Sequence, residues 1–278
     1  MPELPEVETI RRELEREVVG KRIRSVDITG TRSVRRHGSV DEIPGRLEGC
    51  KIAGVERRGK YLILRLDSGD LLVIHLGMSG QLLRATGKEP LPKHTHVVIT
   101  FTQGGQLRFC DPRTFGELFV TTPDGLTQEA PELAELGPDP VETPISWTSF
   151  AERLLTRTTK LKPLLLDQRF IAGLGNIYTD EILWAAGLRW DRAANSLSSQ
   201  EIRRLYRALV ETLHEAVKYR GSTLPDQQYV GLTGRPGSYQ EHHKVYNREG
   251  QPCRRCRHPI ERLKVAGRST FYCPACQV

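Results

Sequence analysis

The sequence predicts a multidomain α and β protein, in which an N-terminal helix and a β-sandwich domain precede a helical domain that ends in a four-cysteine ribbon. Three observations support this prediction. Apolar residues first recur at helical spacing, then form short runs broken by glycine turns, and finally return to helical spacing. The chain has 278 residues, which is enough for two domains with separate cores. Four of its six cysteines form two closely spaced pairs near the C-terminus.

The first helix is predicted to begin at Pro5, and its apolar face repeats every three to four residues at Val7, Ile10, Leu14 and Val18. Gly20 supplies a stop signal. Burial of this face would fix the N-terminus against the body of the protein.

The residues before this helix allow two interpretations. Proline and acidic residues are common at a helix start, so Pro2 and Glu3 fit a purely structural role. If Met1 is removed, however, Pro2 presents a free secondary amine that can attack an electrophilic sugar carbon. Glu3 would then lie beside it as a proton donor or acceptor. The positive end of the helix dipole favours the unprotonated, nucleophilic form of such an amine.

Residues 21–120 are predicted to form strands joined by short turns. Residues 61–66 and 71–76 flank an Asp-Ser-Gly-Asp turn, and residues 96–102 and 107–110 flank a Gln-Gly-Gly-Gln turn. Several strands with short connections favour a β-sandwich.

A proline-rich run is expected to link this sandwich to a helical domain. Helices are expected over residues 147–156, 163–168 and 177–186, and Ser198 with Glu201 makes a capping-box pattern before a longer helix. Residues 222–246 lack periodicity and are expected to form a loop over a site. The expected boundaries are residues 1–135 for the sandwich domain, 136–145 for the linker, 146–246 for the helical domain with its loop, and 247–278 for the ribbon.

The paired cysteines have the spacing C-x2-C-x16-C-x2-C and are Cys253, Cys256, Cys273 and Cys276. Two such knuckles can close one tetrahedral site, so the spacing predicts one structural Zn²⁺ ion. Four thiolates leave no open coordination position, which argues against catalysis at the metal. Cys50 and Cys110 stand alone and are expected to be small buried apolar residues.

The charge pattern suits a nucleic-acid partner. The formal net charge is +7, and the ribbon carries six arginine and lysine residues against one glutamate. Arg268 is expected at a hairpin tip of this ribbon. A glycine-bearing turn before Asn176 predicts a phosphate-binding corner, although a plain helical hairpin fits the same residues.

No apolar run approaches the about 18 to 20 residues of a membrane span, and no signal peptide is evident, so a cytoplasmic location near the nucleoid is expected.

Six motifs occur in order along the chain: PELPEVET at residues 2–9, GKYL at 59–62, HLGMSG at 75–80, DPRTFG at 111–116, GLGNIY at 173–178, and the four-cysteine finger. Together they resemble the formamidopyrimidine-DNA glycosylase family. The resemblance implies a helix-two-turn-helix in the helical domain. It also implies a base-excision repair enzyme that removes oxidised purines, such as 8-oxoguanine and formamidopyrimidines, and then cuts the abasic strand by β,δ-elimination.

The resemblance assigns the catalytic roles by motif. Pro2 is implied to be the Schiff-base nucleophile that attacks C1′, and Glu3 the proton donor for opening of the sugar ring. Lys60 resembles the family's catalytic lysine, and Arg268 resembles the finger arginine that contacts phosphate and assists δ-elimination. Glu6 would support Pro2 and Glu3.

DNA-binding roles follow in the same way. A flipped base leaves a hole in the stack, and Met78, Arg113 and Phe115 resemble the family residues that fill it. Without the resemblance, Met78 and Phe115 would be read as core residues. Contacts to the DNA backbone are implied for His75, His94, Lys162, Asn176 and Tyr246. The expected partner is double-stranded DNA with an oxidised base, bound by a monomer, and no membrane partner is expected.

Two alternatives remain open at this point. The endonuclease VIII branch shares the implied fold but prefers oxidised pyrimidines, and Leu4 argues against it because that branch tends to carry glycine there. A non-enzymatic zinc-dependent DNA-binding protein would need the basic ribbon but not Pro2. The chain also departs from the family pattern at Thr95, where an aspartate is frequent, and at residues 225–226, where a basic residue often follows the Thr-Leu pair.

Overall fold

A computed structural model describes Met1–Val278 and divides into two compact units. Unit 1 comprises Met1–Glu135 and Arg220–Ser238, and unit 2 comprises Leu136–Tyr219 and Tyr239–Val278. No helix has both the length and the apolar character that crossing a membrane requires.

Unit 1 is built on two four-stranded antiparallel sheets. Their strands are β1 (Ile23–Ile28), β2 (Ile52–Arg58), β3 (Tyr61–Leu66), β4 (Leu71–His75), β5 (Gln81–Ala85), β6 (Thr95–Phe101), β7 (Gln106–Cys110) and β8 (Glu117–Thr121). The strand orders are β1-β6-β7-β5 and β2-β3-β4-β8. Both predicted hairpins are present, as the pairs β3–β4 and β6–β7. The helices are α1 (Leu4–Val18), α2 (Glu42–Leu47), α3 (Leu126–Glu129) and α4 (Pro131–Ala134).

The predicted apolar face of α1 is confirmed. Val7, Ile10, Leu14 and Val18 are buried in one cluster with apolar residues of both sheets. Each side chain of this size contributes roughly 1.5–3 kcal/mol when it is removed from water. The start of α1 is therefore fixed on the sheets by its own core residues.

The segment Arg220–Ser238 follows the last long helix in sequence but makes its contacts within unit 1. Its residues Tyr229 and Leu232 are buried in the same apolar cluster as α1. The sequence pattern grouped this stretch with the helical domain, because apolar residues without a regular period do not show which core they join.

Unit 2 contains α5 (Trp147–Leu155), α6 (Leu161–Leu166), α7 (Asn176–Ala186), α8 (Ser199–Lys218) and a hairpin of β9 (Glu261–Val265) and β10 (Arg268–Tyr272). The predicted capping box is confirmed, since Ser198 Oγ accepts from Glu201 N and the Glu201 carboxylate accepts from Ser198 N. Helix α6 begins two residues earlier than predicted. Pro163 lies in its first turn, where a missing N–H breaks no intrahelical bond.

Candidate active site and zinc ribbon

The start of α1 holds the first two candidate catalytic residues. Pro2 is buried, and Glu3 is the N-cap residue of the helix. The Glu3 backbone N–H donates to Glu6 Oε2 at 2.8 Å, which completes one half of a capping box. The structural interpretation of these residues and the catalytic one are thus compatible, because the cap fixes the backbone that carries Pro2.

The second carboxylate oxygen of Glu6 binds a backbone group that is distant in sequence but belongs to the same unit. Oε1 accepts from the Ser222 backbone N–H at 2.7 Å, and the side chain is almost completely buried. Gly221 has φ of +74°, and a Cβ at this position would lie 2.5 Å from Glu6 Oε1. Glycine is therefore required here for the close approach of the backbone to the carboxylate.

Lys60 lies in the tight turn between β2 and β3 and is buried. The preceding Gly59 has φ of +58°. Arg57 Nη1 donates to the Gly59 carbonyl at 3.0 Å, so the turn is held by a buried guanidinium.

The three candidate wedge residues lie on two adjacent turns of unit 1. Met78 is 37% exposed and Phe115 is 44% exposed, so neither is a core residue. The Arg113 guanidinium lies 5.0 Å from the centre of the Phe115 ring, within the range of a cation–π contact.

Asp111 holds the second of these turns. It is fully buried and accepts from Ser79 Oγ at 2.6 Å, from Arg113 N at 3.1 Å and from Gly116 N at 2.7 Å. A Cβ at Gly77 would lie 2.5 Å from the Gly116 nitrogen, so the two turns touch through their backbones. The side chains of both turns therefore project from a backbone that is held rigidly.

The two candidate histidines have different surroundings. His75 ends β4, and its ring centre lies 4.5 Å from that of Tyr61. Burial lowers the pKa of His75 to about 4, so its imidazole is neutral at neutral pH. His94 is exposed with φ of +62°, a conformation that places its side chain at the surface before β6.

In unit 2, Lys162 and Asn176 converge on one backbone carbonyl. Lys162 Nζ donates to Ser269 O at 2.9 Å and pairs with Asp180 at 2.7 Å, while Asn176 Nδ2 donates to Ser269 O at 2.8 Å. Asp180 also accepts from Phe271 N at 2.9 Å. The side chains of α6 and α7 therefore fix β10, the strand that begins with Arg268.

Arg268 is exposed and follows the hairpin tip at Ala266 and Gly267, as predicted. A cavity of about 280 Å³ is lined by this tip, Arg268, Lys162 and α6. Tyr246 also packs on β10: its ring lies edge-on against Phe271, and its N–H donates to Glu181 Oε1 at 2.8 Å.

The four paired cysteines form one cluster, in which the Sγ atoms lie within 4.8 Å of one another. Two of the Sγ–Sγ distances are 3.4 and 3.9 Å. Four sulfurs at the usual zinc–sulfur distance of about 2.3 Å form a tetrahedron with edges of about 3.8 Å. The donor set and its spacing thus fit one zinc ion.

Several residues of these sites carried no signal in the sequence. Glu13, Asp180 and Glu181 are helical carboxylates, and what distinguishes them is a backbone N–H partner that is distant in sequence. Arg57 lies in a strand, and no pattern marks its bond to the Gly59 carbonyl. Asp111 lies in the DPRTFG motif, but the motif does not indicate that this side chain holds the turn.

Three family models match successive parts of the chain. The formamidopyrimidine-DNA glycosylase N-terminal domain matches residues 1–118, and the H2TH domain of that enzyme matches residues 136–228. The zinc finger found in FPG and IleRS matches residues 250–278. The four cysteines therefore hold one structural zinc ion, as predicted.

Whole-length relatives agree with these matches. The formamidopyrimidine-DNA glycosylase of Geobacillus kaustophilus is 47% identical over 277 residues, covering 100% of both chains. The Lactococcus lactis Fpg, in a complex with DNA that contains an abasic site, has a TM-score of 0.90 at 38% identity and 99% coverage of both chains. The wild-type Lactococcus lactis Fpg, in a complex with DNA that contains N7-benzyl-Fapy-dG, has a TM-score of 0.90 at 39% identity and 99% coverage of both chains. By sequence and by fold, the chain belongs to the formamidopyrimidine-DNA glycosylase family.

Proposed function

We infer that this chain is a base-excision repair glycosylase that removes oxidised purines from DNA and then cleaves the abasic strand as a lyase. Its relatives along the full length are formamidopyrimidine-DNA glycosylases, and those of known structure include complexes with abasic-site DNA and with a Fapy-dG derivative. The observation that carries this inference is the PELPEVE sequence at the start of α1, within a chain that matches the family throughout.

We propose that Pro2 is the nucleophile, after Met1 has been removed. Its nitrogen forms a bond to C1′ as the glycosidic bond breaks, and the single N–H proton of the amine is transferred to the leaving oxidised base. The nitrogen lone pair then displaces the ring oxygen from C1′, which opens the sugar ring and gives an iminium, and Glu3 is the group that protonates the ring oxygen. The capped, buried start of α1 supports this role, because it fixes Pro2 in a field that favours the unprotonated amine.

The later steps need groups that stabilise developing negative charge on phosphate. β-Elimination breaks the 3′ C–O bond after loss of a C2′ proton, and δ-elimination then breaks the 5′ C–O bond. We propose Arg268 as the cation that contacts phosphate during the second elimination, and Lys60 as a further catalytic group. We propose that Glu6 supports Pro2 and Glu3 indirectly, since it fixes the backbone of Glu3.

The proposed DNA contacts divide into two kinds. Met78, Arg113 and Phe115 are proposed to fill the hole that the flipped nucleobase leaves. The exposure of Met78 and Phe115 on turns that are held rigidly supports this role. His75, His94, Lys162, Asn176 and Tyr246 are proposed to contact or orient the phosphate backbone. Lys162 and Asn176 already donate to Ser269 O, so we propose that they act at the phosphate together with β10.

Borohydride trapping tests the nucleophile. With 8-oxoguanine opposite cytosine, the Met1-free protein is expected to give a covalent adduct, whereas Pro2→Gly and a form with one extra residue before Pro2 are expected to trap far less. Absence of an adduct from the Met1-free protein would refute the enzymatic mechanism. Activity on a thymine-glycol duplex distinguishes the endonuclease VIII alternative, which the whole-length relatives do not favour.

We further propose that the protein acts as a monomer in the cytoplasm, associated with the nucleoid through DNA. We also propose that the domains expected from the sequence fold as separate units, except that Arg220–Ser238 folds with unit 1. Analytical ultracentrifugation with and without a lesion duplex tests the proposed monomeric state. A dimer at micromolar concentration would contradict it.

A further inference from the structure

Residues Arg220–Ser238, here called the return segment, are held to α1 by two carboxylates. Glu6 Oε1 accepts from Ser222 N at 2.7 Å, and Glu13 Oε2 accepts from Leu232 N at 2.6 Å. Glu6 and Glu13 lie almost two turns apart on the same helix. Helix α1 therefore fixes the return segment at two points that are ten residues apart in that segment.

Glu13 does more than hold Leu232. Its Oε1 also forms an ion pair with Arg220, so one side chain joins residues 220 and 232 and closes the segment into a loop. The Glu13 side chain is 14% exposed and the Arg220 side chain is 40% exposed, so the carboxylate is largely buried while the arginine stays partly in contact with solvent. A Cβ at Gly231 would lie 2.8 Å from Arg220 Nη2 and 2.9 Å from Glu13 Oε2, so the backbone packs directly on the ion pair.

Other contacts stiffen the base of this loop. Tyr229 Oη donates to Arg220 O at 2.8 Å, and Arg84 N donates to Leu232 O at 2.7 Å. The far end of the loop is different, because Pro225, Asp226 and Gln227 are exposed and Gln227 has φ of +49°. The loop thus has a fixed, buried base and a polar tip at the surface.

The base of the loop is also joined to the proposed catalytic residues. Glu6 binds Ser222 N with one oxygen and Glu3 N with the other, so two hydrogen bonds connect the first residues of the loop to the N-cap of α1. The position of the loop and the position of Pro2 are consequently set by one helix. A substitution at Glu13 is expected to change the position of the loop and to leave the position of Pro2 unchanged, because Glu13 lies more than two turns from the N-cap.

We propose that Glu13 is a positioning residue that acts through the return segment to set the preference for DNA that still carries the damaged base. This proposal rests on the proposed glycosylase and lyase function. Gln81, just after the turn that carries Met78, donates from Nε2 to Gln227 O at 2.8 Å, so the loop tip lies beside the proposed flipped-base site. A preformed abasic site has no base there, whereas the chemistry at C1′ uses the same Pro2. Displacement of the loop is therefore expected to slow base removal and to leave abasic-site cleavage nearly unchanged.

The test compares two substrates under single-turnover conditions: a duplex with 8-oxoguanine and the same duplex with a preformed abasic site. Glu13→Ala is expected to lower the rate of 8-oxoguanine removal about tenfold or more, because small displacements of a contacting group are costly. Abasic-strand cleavage is expected to stay within about twofold. Glu13→Gln retains an acceptor for Leu232 N but not the ion pair with Arg220, so its effect is expected to be intermediate.

Glu15→Ala is the matched control, because Glu15 lies on the exposed side of the same helix and pairs with Arg11. It is expected to behave as wild type on both substrates. Equal losses on both substrates, or no loss on either, would overturn the role of Glu13. Melting temperatures identify any loss of folded protein, and Glu13→Gln replaces Glu13→Ala if the latter fails to fold. If the wild-type protein cleaves neither substrate, the proposed function itself fails.

Discussion

Arg57 Nε donates to Glu8 Oε2 at 2.9 Å, and both side chains are almost completely withdrawn from solvent. This pair joins α1 to β2. Burial opposes the charge on Glu8, yet hydrogen bonds from Arg11, Arg57 and Arg12 hold the pKa of Glu8 below its ordinary value. The carboxylate is therefore ionised at neutral pH and has three guanidinium partners.

The two partners of this pair are expected to differ in their effect on stability. Glu8→Leu removes the carboxylate that three guanidinium groups share and breaks the buried pair, and such a change costs about 3–5 kcal/mol. Arg57→Met is expected to cost less, because Arg11 and Arg12 still neutralise Glu8. The double variant is expected to regain part of the loss of Glu8→Leu. Urea unfolding of the three variants measures these free energies, and a larger cost for Arg57→Met would contradict this account.

The same pair is expected to affect catalysis through the turn that carries Lys60. Arg57 Nη1 donates to Gly59 O, and the double variant Glu8→Leu/Arg57→Met removes that support together with both members of the ion pair. Base removal is expected to fall about tenfold for a displacement of this kind. A double-mutant cycle with Lys60→Ala provides the check, because a residue that acts through Lys60 has little further effect once Lys60 is absent.

The sequence predicted those features that leave a periodic or spaced pattern. The apolar face of α1, both hairpins, the capping box at Ser198 and the cysteine ligands belong to this group. Each of these features is formed by residues that are close in sequence, so the helix period, the strand period or the ligand spacing is enough to predict it.

The contacts that complete the sites could not be predicted in this way. Glu13 and Leu232 are 219 residues apart, and Asp180 and Phe271 are 91 apart. In each pair a carboxylate binds a backbone N–H, so no complementary side chain marks the partner in the sequence. Such contacts depend on the tertiary fold, which local patterns do not specify.

Phe115 is expected to act on DNA and to contribute little to folding. Its ring is 44% exposed, so Phe115→Ala is expected to change the free energy of unfolding by less than about 1 kcal/mol. Removal of 8-oxoguanine from a duplex is expected to slow, because nothing then fills the stack when the base leaves. Fluorescence of 2-aminopurine beside the lesion reports the unstacking.

Leu91→Ala is a suitable control for that variant. Leu91 is 58% exposed in the same unit and belongs to none of the six motifs. It is expected to leave both folding and base removal unchanged. Equal activity of Phe115→Ala and Leu91→Ala would remove Phe115 from the proposed wedge.

Removal of zinc is expected to separate DNA binding from the reactivity of the N-terminal amine. Structural zinc sites of this type supply about 10–16 kcal/mol of folding energy, so chelation or Cys273→Ser is expected to unfold the ribbon that holds Arg268. Fluorescence anisotropy is expected to show loss of duplex binding. Pro2 belongs to unit 1, so borohydride trapping with a small aldehyde sugar is expected to persist. Full duplex binding by zinc-free protein would contradict the proposed role of the ribbon.

Acidification is expected to destabilise the protein through buried histidines, and His243 gives the clearest case. Burial lowers the pKa of His243 to about 4, against about 6.5 in the unfolded chain. Between these values the unfolded state binds more protons than the folded state, so stability is lost as pH falls from about 6.5 to 4, by up to about 3 kcal/mol. His243→Gln is expected to reduce the difference in unfolding free energy between pH 7 and pH 5, whereas His214→Gln, on the exposed face of α8, is expected to leave it unchanged. An undiminished pH dependence in His243→Gln, measured by urea unfolding, would show that the imidazole already carries its proton in the folded state.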